Sequence, residues 1–223
     1  IGITGQNGFI GTHLFNTLGL FPEKYTLIEF KRNYFEDKVA LDSFVSQCDV
    51  IVHLAALNRH KTPSVIYETN VRLVSSLIES LNRTKSTPHI IMSSSSQEDN
   101  DNLYGKSKKV GRSLLLDWAK KKNAIFTGMI IPNVFGPFGK PNYNSVVATF
   151  CHQLSNNETP KIVLDGELKL IYVNELVDCI IGSISKKANK VEYKVKHTSE
   201  IKVSEILKLL QNFKTLYLDS GEI

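Results

Sequence analysis

Ile1-Gly2-Ile3-Thr4-Gly5-Gln6-Asn7-Gly8-Phe9-Ile10-Gly11 is the stretch on which the fold turns. An apolar, β-forming start runs directly into three glycines spaced by three. After them His13, Leu14 and Leu18 continue as a helix. In such a strand-turn-helix, Gly5 permits the tight turn and Gly8 lets backbone amides approach a pyrophosphate. Gly11 lets the helix pack closely on the strand while its N-terminal dipole faces the anion. The bare glycine pattern fits a ligand-free turn equally well, and its placement after a strand lowers that alternative. Gly5, Gln6, Asn7, Gly8, Phe9, Ile10 and Gly11 are therefore read as dinucleotide-binding.

Outward from this turn, β-rich apolar runs at 1–4, 25–30, 50–54, 89–92 and 125–131 alternate with amphipathic stretches, the mark of βαβ units. Val71, Val74, Leu77, Ile78 and Leu81 share one helical face within 70–81, and a second helix is expected over 103–121. Beyond Pro132 the pattern loosens through Gly136, Pro137, Gly139 and Pro141 before a helix over 145–154. The expectation is an α/β chain. A Rossmann-type doubly wound parallel sheet occupies 1–131, and a small C-terminal substrate-binding region occupies 132–223, its late strands and helices returning to the core.

With 223 residues, 42% of them hydrophobic and 22% charged, the chain can bury a sizeable core. No apolar run approaches the roughly 20 residues of a membrane span, and no signal segment opens the chain, so no membrane partner and a cytoplasmic location are expected. The net charge of +5 is not read as a nucleic-acid footprint: Lys120, Lys121 and Lys122 suit a solvated helix end, and no nucleic-acid motif accompanies them. Cys48, Cys151 and Cys179 are widely spaced and are expected to be buried free thiols rather than metal ligands. Ile1 lies inside a strand, which implies a start a few residues upstream.

About 20 residues after the glycines an acidic side chain commonly takes the ribose hydroxyls of NAD. Here the neighbourhood reads Ile28-Glu29-Phe30-Lys31-Arg32. With Glu29 inside the strand and Lys31 and Arg32 at its end, cations stand where a 2′-phosphate lies, and NADP(H) is preferred. A register slip of one residue reverses this, so NAD(H) stays open.

Tyr104-Gly105-Lys106-Ser107-Lys108 sets a phenol and an ammonium four residues apart, on one face of a helix. The cation favours the phenolate and can hold a cofactor ribose. Tyr34 and Lys38 repeat the spacing, but only Tyr104 follows a strand that ends in Ser93, Ser94, Ser95 and Ser96, at the sheet edge where open α/β proteins bind ligands. A hydroxyl there can hydrogen-bond a carbonyl oxygen as charge develops on it. Ser95 is assigned that role and Ser94 is the alternative.

These motifs, taken with His53-Leu54-Ala55-Ala56, resemble the extended short-chain dehydrogenase/reductase family over most of the chain. The resemblance implies that Leu54, Ala55, Ala56, Asn70, Ser93, Pro132 and Val134 join the glycine turn, Lys31, Arg32, Tyr104 and Lys108 in holding the cofactor. It implies substrate contacts from Asn58, Arg59, Ser95, Gln97, Asn133, Lys140, Asn142, Tyr143, Asn144 and Val147. Pro132–Pro137 resembles the family segment that touches nicotinamide and sugar, and Tyr172-Val173-Asn174-Glu175 its late motif near the uridine. The short link from Ser96-Gln97 to Leu103-Tyr104-Gly105, and the stretch 140–151, are similar to a branch of bacterial capsule enzymes. These make UDP-N-acetyl-6-deoxy-L-talosamine and carry a cupin domain after the reductase. That likeness implies that the polar ending Asp219-Ser220-Gly221-Glu222-Ile223 lies near the start of a missing cupin. Ile130 and Leu168 depart from arginines found in relatives. No Asp-Glu pair follows the hydroxyl residue, as it does in dehydratases.

The resulting expectation is an NADPH-dependent reductase acting on the 4-keto group of a UDP-linked deoxy amino sugar, and working as a homodimer through the helix bearing Leu114, Leu115, Leu116 and Trp118. Two rivals stand beside it. One is an epimerase or dehydratase of UDP-sugars that retains NAD; the other is a non-catalytic dinucleotide sensor, which loses the Tyr and Lys that are present here.

Overall fold

A computed structural model describes residues 1–187 and 189–221; Ala188, and Glu222 and Ile223 of the polar ending, lie outside the described residues. In chain order the elements begin with β1 (Gly2–Thr4), α1 (Phe9–Gly19), a 3-10 turn (Arg32–Phe35), α2 (Lys38–Ser46), β2 (Val50–His53) and α3 (Pro63–Thr84). There follow β3 (His89–Ser95), a 3-10 turn (Ser96–Asp99), α4 (Leu103–Lys122), β4 (Phe126–Ile131), β5 (Asn133–Phe135) and α5 (Val146–Ser155). The last are β6 (Glu167–Tyr172), α6 (Val173–Lys186), β7 (Lys190–Lys194), β8 (Ser199–Lys202), α7 (Val203–Phe213) and a π-helical turn (Lys214–Asp219). They form two compact units: Ile1–Ile131 with Leu176–Val195, and Pro132–Glu175 with the chain from Lys196 onward.

In the first unit β1, β2, β3, β4 and β7 lie side by side in that order, every pair parallel. On the other side of β1, Ile28 makes a single parallel bridge to Gly2, and its amide donates to the Ile1 carbonyl at 2.9 Å. The chain therefore leaves β1 in both directions, which makes its carboxyl end a switch point of the kind where open α/β sheets bind ligands. The fold is a Rossmann-like α/β fold.

The sequence pattern predicts a full strand over 25–30, and the structure keeps only the Ile28 bridge. Phe30 explains the difference. Its ring turns into the core against Tyr34, Phe35 and Phe44, with centroids 5.5, 5.1 and 4.9 Å away. Its amide donates to the Gln6 side chain at 3.0 Å instead of to a strand. By contrast β3 runs three residues further than the apolar pattern alone implies, because Ser93, Ser94 and Ser95 are all buried and hydrogen-bonded.

Phe44, Val45, Leu77, Leu81, Leu115, Trp118 and Phe126 form the core beneath α2, α3 and α4. Leu114 and Leu116 are half-buried against that same cluster, so the core accounts for much of the apolar surface of α4. The thiols are less uniform than expected. Cys48 is buried, and burial pushes its thiol up to about 11. Cys179 is half-buried and Cys151 exposed, because Phe150 and Leu154 supply the buried face of α5.

In the second unit β5 and β6 pair in parallel and β8 lies antiparallel on β6. Phe150, Leu170, Val203 and Ile206 form a separate small core there. Among the described residues no helix is long and apolar enough to cross a membrane.

Two histidines of the first unit are buried: His53 Nδ1 pairs with Thr4 Oγ1 at 2.8 Å, and His89 Nε2 with Thr127 Oγ1 at 2.9 Å. Burial holds His53 down to about 3 and His89 to about 4, with Lys108 and Lys187 adding to the effect. Below the ordinary 6.5 the unfolded chain takes up protons that the folded one refuses, so stability is lost as pH falls from 6.5 toward 3. Thermal unfolding followed by circular dichroism will show a falling midpoint across that window. His89→Gln, which keeps a partner for Thr127 and cannot be protonated, will show a shallower fall.

Candidate active site

The nucleotide end is built by the turn between β1 and α1. Gly5 has φ +78°, and a side chain there would press on the Ala55 backbone at 2.9 Å. Gly8 donates its amide to the Gly5 carbonyl at 2.9 Å. A side chain on Gly11 would overlap that carbonyl, so strand and helix touch through glycine. No side chain caps α1 and no acidic residue occupies its first turn, which leaves its amides and positive dipole end suited to an anion. These features fit the pyrophosphate of a dinucleotide.

Leu54 and Ala55 continue from β2 across the turn, donating amides to Thr4 O at 3.1 Å and Thr4 Oγ1 at 3.4 Å. Gln6 links the turn to the segment ending the second extended run through Phe30 N. Lys31 and Arg32 follow at the surface; Lys31 Nζ stands 3.7 Å from Glu29. With Phe30 turned inward, Glu29 and Lys31 share the other face.

At the end of β3, Lys108 is buried and donates Nζ to the Ser93 carbonyl at 3.0 Å, with its ammonium 5.9 Å from the centre of the Tyr104 ring. Burial lowers it to about 8, and the Glu98 carboxylate pulls upward against this. Asn70 is buried on α3, and its amide is spent within the protein. Its Oδ1 accepts from Leu57 N at 2.7 Å, while Nδ2 donates to Leu57 O and to Ser107 Oγ, both at 3.0 Å. Ser107 Oγ in turn donates to Tyr104 O at 2.7 Å. Asn70 thus ties the loop holding Ala56, Asn58 and Arg59 to the first turn of α4.

The serines differ in what their hydroxyls do. Ser93 Oγ donates to His53 O at 3.2 Å, and Ser94 Oγ donates to Glu98. Ser95 Oγ accepts from the Gln97 amide at 3.2 Å and keeps its proton to give. Glu98 and Asp99, the nearest acids, are engaged: Glu98 with Arg112, and Asp99 with Lys109 at 3.2 Å. The Arg112 partnership had no local sequence signal except its place four residues past Lys108.

Pro132, Asn133, Val134, Lys140, Asn142, Tyr143, Asn144 and Val147 belong to the second unit. There Asn133 and Val134 lie in β5, Lys140 Nζ stands 5.4 Å from the Tyr143 ring, and Asn142 N donates to Thr149 Oγ1 at 2.9 Å. Val147, Phe135, Phe138 and Tyr172 help to line a cavity of about 290 Å³.

A sequence profile of the NAD dependent epimerase/dehydratase family matches residues 1–196. The chain is 30% identical over 219 residues to the UDP-2-acetamido-2,6-beta-L-arabino-hexul-4-ose reductase of Pseudomonas aeruginosa, across 95% of this chain and 57% of the reductase. The capsular polysaccharide assembling protein CapF of Staphylococcus aureus shares 32% identity and a TM-score of 0.80, across 98% of this chain and 58% of CapF. RMD from Pseudomonas aeruginosa, solved with NADPH, shares the fold: TM-score 0.84 at 18% identity, across 95% of this chain and 81% of RMD. The chain spans a little over half the length of the first two.

Gly11→Ala places a methyl against the Gly5 carbonyl, so the turn must open. Fluorescence titration with NAD(P)H will show an affinity loss of about tenfold or more, while Tyr104→Phe binds as the unaltered chain does.

Proposed function

The chain belongs to the NAD dependent epimerase/dehydratase family, enzymes of the NAD(P)-dependent oxidoreductase type, and we propose that it is the reductase part of a nucleotide-sugar enzyme. Its substrate in this reading is the 4-keto form of a UDP-linked 2-acetamido-6-deoxy sugar. The observation that carries the reading is the buried Lys108 ammonium seated on the Ser93 carbonyl, next to the Tyr104 ring and one strand-end away from Ser95.

The glycine turn and the α1 N-terminus would hold NADPH, which would supply the hydride for reduction at C4. Tyr104 gives its phenolic proton to the carbonyl oxygen, so that the ketone becomes an alcohol. Ser95 Oγ donates a hydrogen bond to that oxygen as charge builds on it. Lys108 steadies the phenolate left behind and holds the cofactor ribose. The activity of the Pseudomonas aeruginosa relative, a hexul-4-ose reductase, supports this choice.

Dehydration is disfavoured because it needs an acid-base carboxylate at the sugar. Glu98 is occupied by Arg112 and Ser94, and no Asp-Glu pair directly follows Ser95. For the cofactor, Lys31 and Arg32, which follow the Phe30 amide held by Gln6, support a 2′-phosphate, hence NADPH over NADH.

Loss of nicotinamide absorbance, measured with a panel of UDP-linked 4-keto sugars, tests the reading. NADPH will be consumed by the unaltered chain and not by Tyr104→Phe. A sample that carries bound NAD and turns over a UDP-sugar without added NADPH would instead establish the epimerase reading, and no turnover of any keto sugar sinks the assignment. The rate will decline as pH rises through about 8, where the Lys108 ammonium is lost. Lys31→Ala with Arg32→Ala will raise KM for NADPH about tenfold and leave KM for NADH unchanged.

A further inference from the structure

Tyr104, Lys108 and Arg112 lie at intervals of four along α4, and form one stripe facing the end of β3. The first two belong to the chemistry already proposed. Arg112 is as deeply buried as they require: its side chain is 8% exposed and that of Glu98 5%. The pair is a two-pronged fork, with Nε to Oε1 at 2.8 Å and Nη2 to Oε2 at 2.6 Å. Glu98 Oε1 also accepts from Ser94 Oγ, and Ser94 adjoins Ser95. The remaining nitrogen, Nη1, reaches the Val191 carbonyl at 3.4 Å and Glu192 Oε1 at 3.1 Å on β7.

One guanidinium thus joins the 3-10 turn after β3, the helix bearing the phenol and the edge strand of the sheet. The surroundings leave room for this. A Cβ on Gly128 would stand 2.7 Å from Arg112 Cδ and 2.6 Å from the Val191 carbonyl, and a Cβ on Gly105 would overlap the Gln97 carbonyl. A buried ion pair adds little net stability compared with apolar residues of the same volume; what it offers is a fixed arrangement.

We propose that the Glu98–Arg112 pair is a positioning element of the active site, fixing the turn that follows Ser95 under α4 and setting a permanent negative charge within reach of the Lys108 ammonium. Neither residue touches the reacting atoms. The groups facing Lys108 are Tyr104 from its own helix, the Ser93 carbonyl from β3, Glu98 from the 3-10 turn and His53 from β2, neutral near pH 7. Of these, Glu98 raises the ammonium's pKa against burial, so its removal lets that pKa fall. The kinetic part of the inference rests on the reductase reading; the titration part does not.

The test replaces the pair with apolar side chains, Glu98→Leu with Arg112→Met, and in parallel makes Glu98→Gln. Nitrogen NMR of labelled lysine ammonium groups follows Lys108, and kcat is measured against pH. The expected result is a Lys108 midpoint lower by about one unit. With it, kcat falls about tenfold, its high-pH limb moves the same way, and KM for NADPH stays within about twofold. A folded double variant with an unshifted Lys108 midpoint overturns the proposal, whatever its melting temperature. If the double variant does not fold, the same titration on Glu98→Gln decides by the same criterion. If the unaltered chain reduces no keto sugar, the functional reading fails and the titration still judges the pair.

Discussion

Lys108 is buried with its charge, and an ammonium out of water needs a ring of acceptors and compensating charge around it. The Ser93 carbonyl accepts from it at 3.0 Å, which requires β3 to continue through residues that a purely apolar pattern would end at Met92. The Glu98 carboxylate supplies the opposing charge, which requires the turn after Ser95 to fold back under α4. Asn70 holds the first turn of that helix through Ser107. Much of the geometry around β3, α3 and α4 follows from giving this one cation a place.

The glycine turn and the helices were legible in the sequence because both signals are local. Three glycines at spacings of three dictate a close strand-to-helix contact, and Val74, Leu77 and Leu81 mark the buried face of α3. Tyr104 and Lys108 are preferred to Tyr34 and Lys38 by position alone; Tyr34 packs beside Phe30. The choice among four serines was not legible, since it depends on what each hydroxyl meets: His53 O for Ser93, Glu98 for Ser94, an amide for Ser95.

Two further features escaped because they rest on distant partners. The run at 25–30 has strand composition, yet the Phe30 amide is taken by Gln6, 24 residues away, and its ring by the core. Arg112 looks like an ordinary surface arginine on a lysine-rich helix until Glu98, 14 residues earlier, and β7, about 80 residues later, close around it. Helical spacing can say that Arg112 faces the same way as Lys108, but not that a carboxylate waits there.

The Gln6–Phe30 hydrogen bond has a bearing on protein engineering. The glycine turn and the segment that carries Glu29, Lys31 and Arg32 are cross-linked by a side chain on one and a backbone amide on the other. Side chains at 29, 31 and 32 can therefore be exchanged while the cross-link stands. Placing proline at position 30 removes the donor and unfastens the glycine turn from that segment.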